Sequence, residues 1–258
     1  MTATTARRAW VRQIMGLPVS VHVRGAGATA DRAAKHVDAF FADLSHADDV
    51  FSTYRPDSRL SRWERGELDD ADPAMAEVFG LCRLAGERTD GWFDARGLPD
   101  PGGAGPRFDP SGLVKGWAVE RAARHLADLD GPGWCVNAGG DVLLHTADGE
   151  PPWRVGVEDP ADPGRLLRAV TVTAGAVATS GTVHRGAHIV DPYTANPATA
   201  VRAVTVLGPS LLWADVYATA SAARGPGALD WLAGVPAYDA LLVGPAGEVT
   251  TTAGWPAA

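Results

Sequence analysis

The stretch WCVNAGGDVLLHT, Trp134 to Thr146, reads as a strand, a glycine turn and a second strand. Asn137, Gly139, Gly140 and Asp141 make the turn, and paired glycines reach backbone conformations that strain other residues. A turn this short brings the second strand back antiparallel beside the first. The same glycines let a backbone approach a ligand closely, so hairpin turn and binding loop both stay open at this point.

Outward from this hairpin the pattern repeats. PVSVHVRG alternates at period two through Val19, Val21 and Val23, the signature of a half-buried strand. WRVGVEDP, LRAVTVTAG, AVATSG and AVTVLG continue as short strands, and DALLVG with GEVTTTAG closes the chain as a hairpin. Helical spacing takes over elsewhere. Val37, Phe40, Phe41 and Leu44 mark a long helix whose start Thr29 or Asp31 can cap. DPAMAEVFGLCRLAGERTDG is a second helix, ending near Gly91. SGLVKGWAVERAARHLADLDG is a third, with Ser111 as N-cap and Val114, Ala118, Ala122 and Leu126 as its inner stripe. WADVYATASAA, Trp213 to Ala223, is a fourth, followed by a short helix near GALDWLAG. Helices clustered among meandering strands predict an α+β fold with an antiparallel sheet and packed helices, not a doubly wound one. A single domain over 1–258 is expected, with a Pro/Gly-rich loop insertion at 95–107.

Composition limits the function classes. The chain has 258 residues, 46% apolar and 21% charged, which is enough for a sizeable core. Its net charge of −8 argues against a general nucleic-acid binder, whose footprint is basic. Cys82 and Cys135 are far apart and lack metal spacing, so both read as reduced, buried and inert, with a cytoplasmic setting. No apolar run approaches the roughly 20 residues of a spanning helix. The stretch with Arg7 and Arg8 has no apolar segment of the secretory kind.

Four stretches can carry chemistry. FDPSGLVKG, Phe108 to Gly116, brings Asp109, Gly112 and Lys115 to a helix start, where free N–H groups and the helix dipole favour anions. A capped helix with a solvated lysine accounts for the same residues, and the Walker spacing is absent. NAGGD is the glycine turn of the opening hairpin. VATSGTVHRGAHIVDP ends a strand at Ser180 and carries His184, His188 and Asp191. A zinc pair would need a third ligand that does not accompany it; a single histidine beside an aspartate fits a general base instead. In WADVYATASAA, Asp215 and Thr219 are four apart and share a helix face. They offer hard oxygens to Mg²⁺, which takes few protein ligands and completes its shell with water and phosphates. Alternatively Asp215 caps the helix and Thr219 bonds back to the carbonyl of residue 215. Together the four fit a site for a nucleotide with a pyrophosphate.

These motifs resemble the ApbE family of flavin transferases, which move FMN from FAD onto a protein. The likeness runs from about Met15 to Thr219. It rests on Met15-Gly16, FSTYRPDSRLSR (51–62), GWFD (91–94), DPSGLVKGWAVE (109–120), NAGGD (137–141), ATSG (178–181), HIVDP (188–192) and ADVYATA (214–220), in that order. The resemblance implies a T-fold type of α+β architecture, with FAD as substrate and Mg²⁺ as cofactor. It implies metal binding by Asp215, Thr219 and the backbone carbonyl of Gly112. Lys115 and Asp109 would bind the nucleotide. Met15, Tyr54, Trp92, Phe93 and Asp94 would line the flavin and adenine pockets, and Ser180 and His188 would face the flavin phosphate. A threonine or serine hydroxyl of an acceptor flavoprotein would attack the FMN phosphorus, AMP would leave, and His188 or Asp191 would take the proton. Neither nucleic acid nor membrane is implied as a partner. The sequence departs from the family after Phe93, where FDAR lacks the usual Asp-Pro-Thr, and at Tyr193 and Ala195-Asn196, where Arg and Gly are usual. An Mg²⁺-dependent FAD pyrophosphatase would need the same metal and nucleotide groups. A non-catalytic FAD-binding protein is a further alternative, against which Asp215 and Thr219 speak, since mere binding does not need metal ligands.

Overall fold

The computed structural model describes residues 6–69, 72–96, 108–181 and 189–256. The chain opens with β1 (Arg7–Ile14) and β2 (Leu17–Arg24), then α1 (Asp31–Phe51), α2 (Arg59–Glu64) and α3 (Pro73–Arg88). Next come α4 (Ser111–Ala122), α5 (Arg124–Ala127), β3 (Gly133–Ala138), β4 (Asp141–His145), β5 (Trp153–Glu158), β6 (Leu166–Val172) and β7 (Ala174–Gly181). The last part holds β8 (Ala203–Gly208), α6 (Leu211–Arg224), α7 (Ala228–Leu232), β9 (Asp239–Val243) and β10 (Val249–Thr251). Eight strands form one sheet in the order β1-β2-β3-β4-β7-β8-β9-β10, antiparallel throughout, and β5 pairs with β6 apart from it. The expected α+β fold with antiparallel sheets and packed helices is what forms.

Period-two alternation sorts the sheet into two faces. Val19, Val21 and Val23 of β2 join Trp134, Val136, Leu143, Ala176, Ala178, Val204 and Val206 in the main apolar cluster, which α1, α4 and α6 cover. The intervening residues point the other way. Val142, Leu144 and Val177 pack there against Val155, Val170 and Val172 of the β5–β6 hairpin. Asp141 and Ser180 share the parity of the helix-covered face, so both aim at the helices from the same end of the sheet. Gly139 and Gly140 turn the chain between β3 and β4 with φ of 62° and 102°, as the opening stretch requires.

Two helices fix the position of the site. Ser210 caps α6: its Oγ accepts from Trp213 N at 3.3 Å and donates to Glu120 Oε2 at 2.9 Å. Glu120, on α4, also accepts from Leu212 N at 3.1 Å, which fastens the start of α6 to α4. Asp215 therefore does not cap this helix. Gly116 lets the two helices touch, because a Cβ there would lie 2.9 Å from Leu212 Cα and 3.1 Å from Leu211 O. Leu211, Leu212, Val216 and Tyr217 are buried, each contributing about 1.5–3 kcal/mol on transfer from water.

Other caps differ from expectation. The N-cap of α1 is Ala30, and neither Thr29 nor Asp31 supplies a side-chain cap. Pro110 precedes α4, so Ser111 is its first residue; its N–H donates to Asp109 Oδ1 at 3.0 Å. The third helix breaks at Ala123 into α4 and α5. Of the expected 95–107 insertion only 95 and 96 are described; Asp109 N donates to Ala95 O at 2.7 Å.

Candidate active site

A cavity of about 930 Å³ opens at the end of the sheet where β3 turns into β4 and β7 ends. Its walls reach from α4 and α6 on one face to the β5–β6 hairpin on the other. Tyr54, Trp92, Phe93, Asp94, Asp109, Gly112, Lys115, Ser180, Asp215 and Thr219 all line it. Ten of the sequence-predicted positions, scattered from residue 54 to residue 219, thus converge on one space.

Charge is concentrated on its helix side. Lys115 Nζ pairs with Asp141 Oδ2 and lies 3.4 Å from Asp215 Oδ2. The lysine side chain is 18% exposed and the two carboxylates 2% and 4%. Asp141 Oδ1 accepts from Thr179 N at 2.9 Å, so β7 holds that carboxylate in place. Charge pairs at this separation attract by about 4 kcal/mol in an effective dielectric near 20, while desolvation costs several kcal/mol per ion. Burial of three charges is therefore poorly explained by stability alone. Among the described residues, these three ionised groups sum to minus one.

One turn along α6, Thr219 Oγ1 lies 3.0 Å from Ser180 Oγ. The hydroxyl thus faces β7 and the cavity instead of bonding back to the carbonyl of residue 215. Among the described residues, no three His, Cys, Asp or Glu side chains converge on a metal position. A metal here would take a mixed oxygen set, and a buried carboxylate, a hydroxyl and nearby room for water or phosphate fit Mg²⁺. Gly112, in the first turn of α4, lines the same space.

Aromatic groups form another wall. The segment after α3 turns through Asp90 and Gly91, both with positive φ (53° and 81°), and delivers Trp92, Phe93 and Asp94. Thr89, fully buried, ties this turn down: its Oγ1 donates to Ala85 O at 2.7 Å and accepts from Phe93 N at 3.0 Å. Phe93 packs beneath Gly112, where a Cβ would come within 3.4 Å of the ring. Tyr54 sits at the rim, 91% exposed.

Across the end of the sheet, the cavity continues past His22, Cys135, Asn137, Trp153 and Glu158. Desolvation lowers the pKa of His22. Burial pushes the Cys135 thiol up to about 12, so it stays protonated near neutral pH. Cys135 is half-buried, not fully buried as expected; Cys82 is buried, and both are free.

Three predicted residues stand differently. Met15 occupies the β1–β2 turn with φ of 55°, packs against the main core and does not line the cavity. Asp191 is flanked by the lining residues Val190 and Pro192, and its Oδ1 accepts from Tyr193 N at 2.8 Å. His188, like His184, lies outside the described residues. Sequence reasoning passed over Asp141 as a site residue. The signal was its place after the glycine pair, but its partner Lys115 is 26 positions away and only the sheet brings them together.

Comparison with known proteins bears on this geometry. The sequence profile of the ApbE family matches residues 15–97 and 102–242. The FAD:protein FMN transferase of Vibrio cholerae serotype O1 is 33% identical over 233 residues, covering 68% of this chain and 69% of that protein. The FAD:protein FMN transferase of Escherichia coli K12 is 25% identical over 259 residues, covering 78% of this chain and 74% of its own. The crystal structure of the ApbE protein of Thermotoga maritima superposes with a TM-score of 0.82 at 22% identity, covering 96% of this chain and 97% of that one. Among the described residues no helix is long and apolar enough to cross a membrane.

Proposed function

We propose that this chain, which belongs to the ApbE family, transfers the FMN moiety of FAD to a serine or threonine hydroxyl of an acceptor protein, with Mg²⁺ as cofactor and AMP as leaving product. The observation that carries this reading is the convergence of Lys115, Asp215 and Thr219 on one cavity with the Trp92–Asp94 wall, with Asp141 paired to the lysine behind them. Basic, acidic and aromatic groups are what a flavin dinucleotide with a pyrophosphate needs.

Each residue has a task in that reading. The first-turn N–H groups of α4 and the Lys115 ammonium hold pyrophosphate oxygens. Asp141 keeps the lysine aimed into the cavity. Asp215, Thr219 and the carbonyl of Gly112 hold the metal. Bound there, a magnesium ion supplies positive charge against the charge that builds on the phosphates during transfer. Trp92, Phe93 and Tyr54 offer faces and edges to the ring systems. The acceptor oxygen bonds to the FMN phosphorus as the bond to the AMP oxygen breaks, and the hydroxyl proton passes to His188 or Asp191.

The test is incubation with FAD, Mg²⁺ and an acceptor carrying an Asp-Gly-x-(Ser/Thr)-Gly-Ala-(Ser/Thr) segment. A gain in acceptor mass of one FMN less one water supports transfer. Release of AMP and FMN with unmodified acceptor indicates hydrolysis instead. A yellow protein that turns over neither overturns catalysis.

A further inference from the structure

The aromatic wall of the cavity hangs from a strained turn. Asp90 is not glycine, yet its φ is 53°, and Gly91 follows at 81°. A non-glycine residue in this region persists where its surroundings hold it there. Nearby chain supplies part of the hold: Gly91 N donates to Gly86 O at 2.8 Å and Trp92 N to Thr89 O at 3.0 Å.

The rest comes from two distant residues. The Tyr193 hydroxyl donates to the Asp90 carbonyl. Its ring stands edge-on to Trp92, with centroids 4.8 Å apart and planes at 64°. The hydroxyl is seated so close to Gly91 that a Cβ there would lie 3.0 Å from it. Arg224 Nη1 reaches the Asp90 carboxylate at 3.6 Å. Arg224 is the last residue of α6, the helix that carries Asp215 and Thr219. Tyr193 is 65% exposed, so burial does not explain where its ring lies. Its own N–H is fixed on Asp191 Oδ1 at 2.8 Å.

We propose that Tyr193 is a positioning residue, a latch that joins the Asp191–Asn196 loop to the Asp90–Asp94 turn and holds Trp92 and Phe93 against the bound dinucleotide. This rests on the reading of the cavity as an FAD site. Asp90 is the shared anchor: its carbonyl takes the loop and its carboxylate takes the end of α6. The latch couples the aromatic wall, the loop with Asp191 and the helix with Asp215 into one rim.

The test uses the full chain with Tyr193→Phe, which keeps the ring and removes the hydroxyl, and Tyr193→Ala, which removes both. Amide hydrogen exchange over residues 86–96 reads the latch without any ligand. Titration with FAD, followed by flavin fluorescence, reads the wall. Loss of one hydrogen bond predicts exchange faster by about three- to tenfold in Tyr193→Phe and FAD affinity weaker by about the same factor. Tyr193→Ala should exceed both, with KM for FAD raised by a larger factor than kcat is lowered. Unchanged exchange overturns the proposal whatever the binding. Faster exchange with unaltered FAD affinity, in a wild type that binds FAD, overturns it too. Faster exchange in a chain whose wild type binds no FAD leaves the latch standing and removes the FAD reading.

Discussion

Lys115 Nζ stands 3.4 Å from Asp215 Oδ2 and pairs on its other side with Asp141, so two helices and a strand share one ammonium. Removing one member of a buried charged cluster leaves the others desolvated and uncompensated. Lys115→Met should lower stability by about 3 kcal/mol. It should also weaken FAD binding by at least about tenfold, since a pyrophosphate contact goes with it. Urea unfolding and FAD titration check the two effects separately. A variant that keeps wild-type FAD affinity would contradict the phosphate role.

Gly116 sets the distance between α4 and α6. Gly116→Ala gains about 1 kcal/mol of helix propensity, but its Cβ meets backbone, which cannot rotate away. The expected net result is destabilisation by about 1–2 kcal/mol and a wider gap between Lys115 and Asp215. Urea midpoints measure the first, and loss of FAD affinity relative to a remote control substitution measures the second. A more stable variant would show that the helices slide freely.

The Ser180–Thr219 hydroxyl pair, 3.0 Å apart, has a different signature. Thr219→Val keeps the shape and loses the oxygen, so stability should fall by only about 1 kcal/mol. Under the proposed metal assignment, the Mg²⁺ concentration giving half-maximal activity should rise about tenfold or more. Ser180→Ala should leave the metal dependence much closer to wild type, because Ser180 is not among the proposed ligands. An unaltered metal dependence in Thr219→Val would remove Thr219 from the metal set.

His22 gives a pH dependence with a definite sign. Desolvation holds its folded pKa below the ordinary 6.5. The unfolded chain therefore binds the proton more readily, and stability must rise with pH across the interval between the folded and unfolded values. His22 contributes its full share above pH 6.5, and that share is lost as pH falls towards the folded pKa. His22→Gln should flatten the acid side of the stability curve below pH 6.5 and leave it unchanged at pH 8. Melting temperatures across that range check it, and an unchanged acid limb would contradict the assignment.

Much of this was legible in the sequence because local periodicity encodes it. Spacing of four put Asp215 and Thr219 on one face, and alternation in PVSVHVRG marked Val19, Val21 and Val23 as the buried side of a strand. What escaped depends on relations that periodicity does not carry. β1 was missed because RRAWVRQI is exposed along nearly its whole length, an edge strand held by backbone pairing to β2 with no apolar alternation to betray it. α2 is six residues long with one buried side chain, Leu60, too short for a helical stripe to appear. Asp141 was visible as a turn residue, but its pairing with Lys115 is a property of the topology. Tyr193 was visible only as a departure from a motif, and its grip on Asp90 depends on two loops meeting.

The most direct test of the central claim is the intact mass of an acceptor protein incubated with FAD and Mg²⁺, comparing wild type with Asp215→Asn. Replacing a carboxylate oxygen by an amide keeps the shape and removes the charge on which metal binding rests. The account predicts that wild type adds one FMN, less one water, to the acceptor and that Asp215→Asn adds it at least about a hundredfold more slowly. Equal labelling by the two proteins would contradict it.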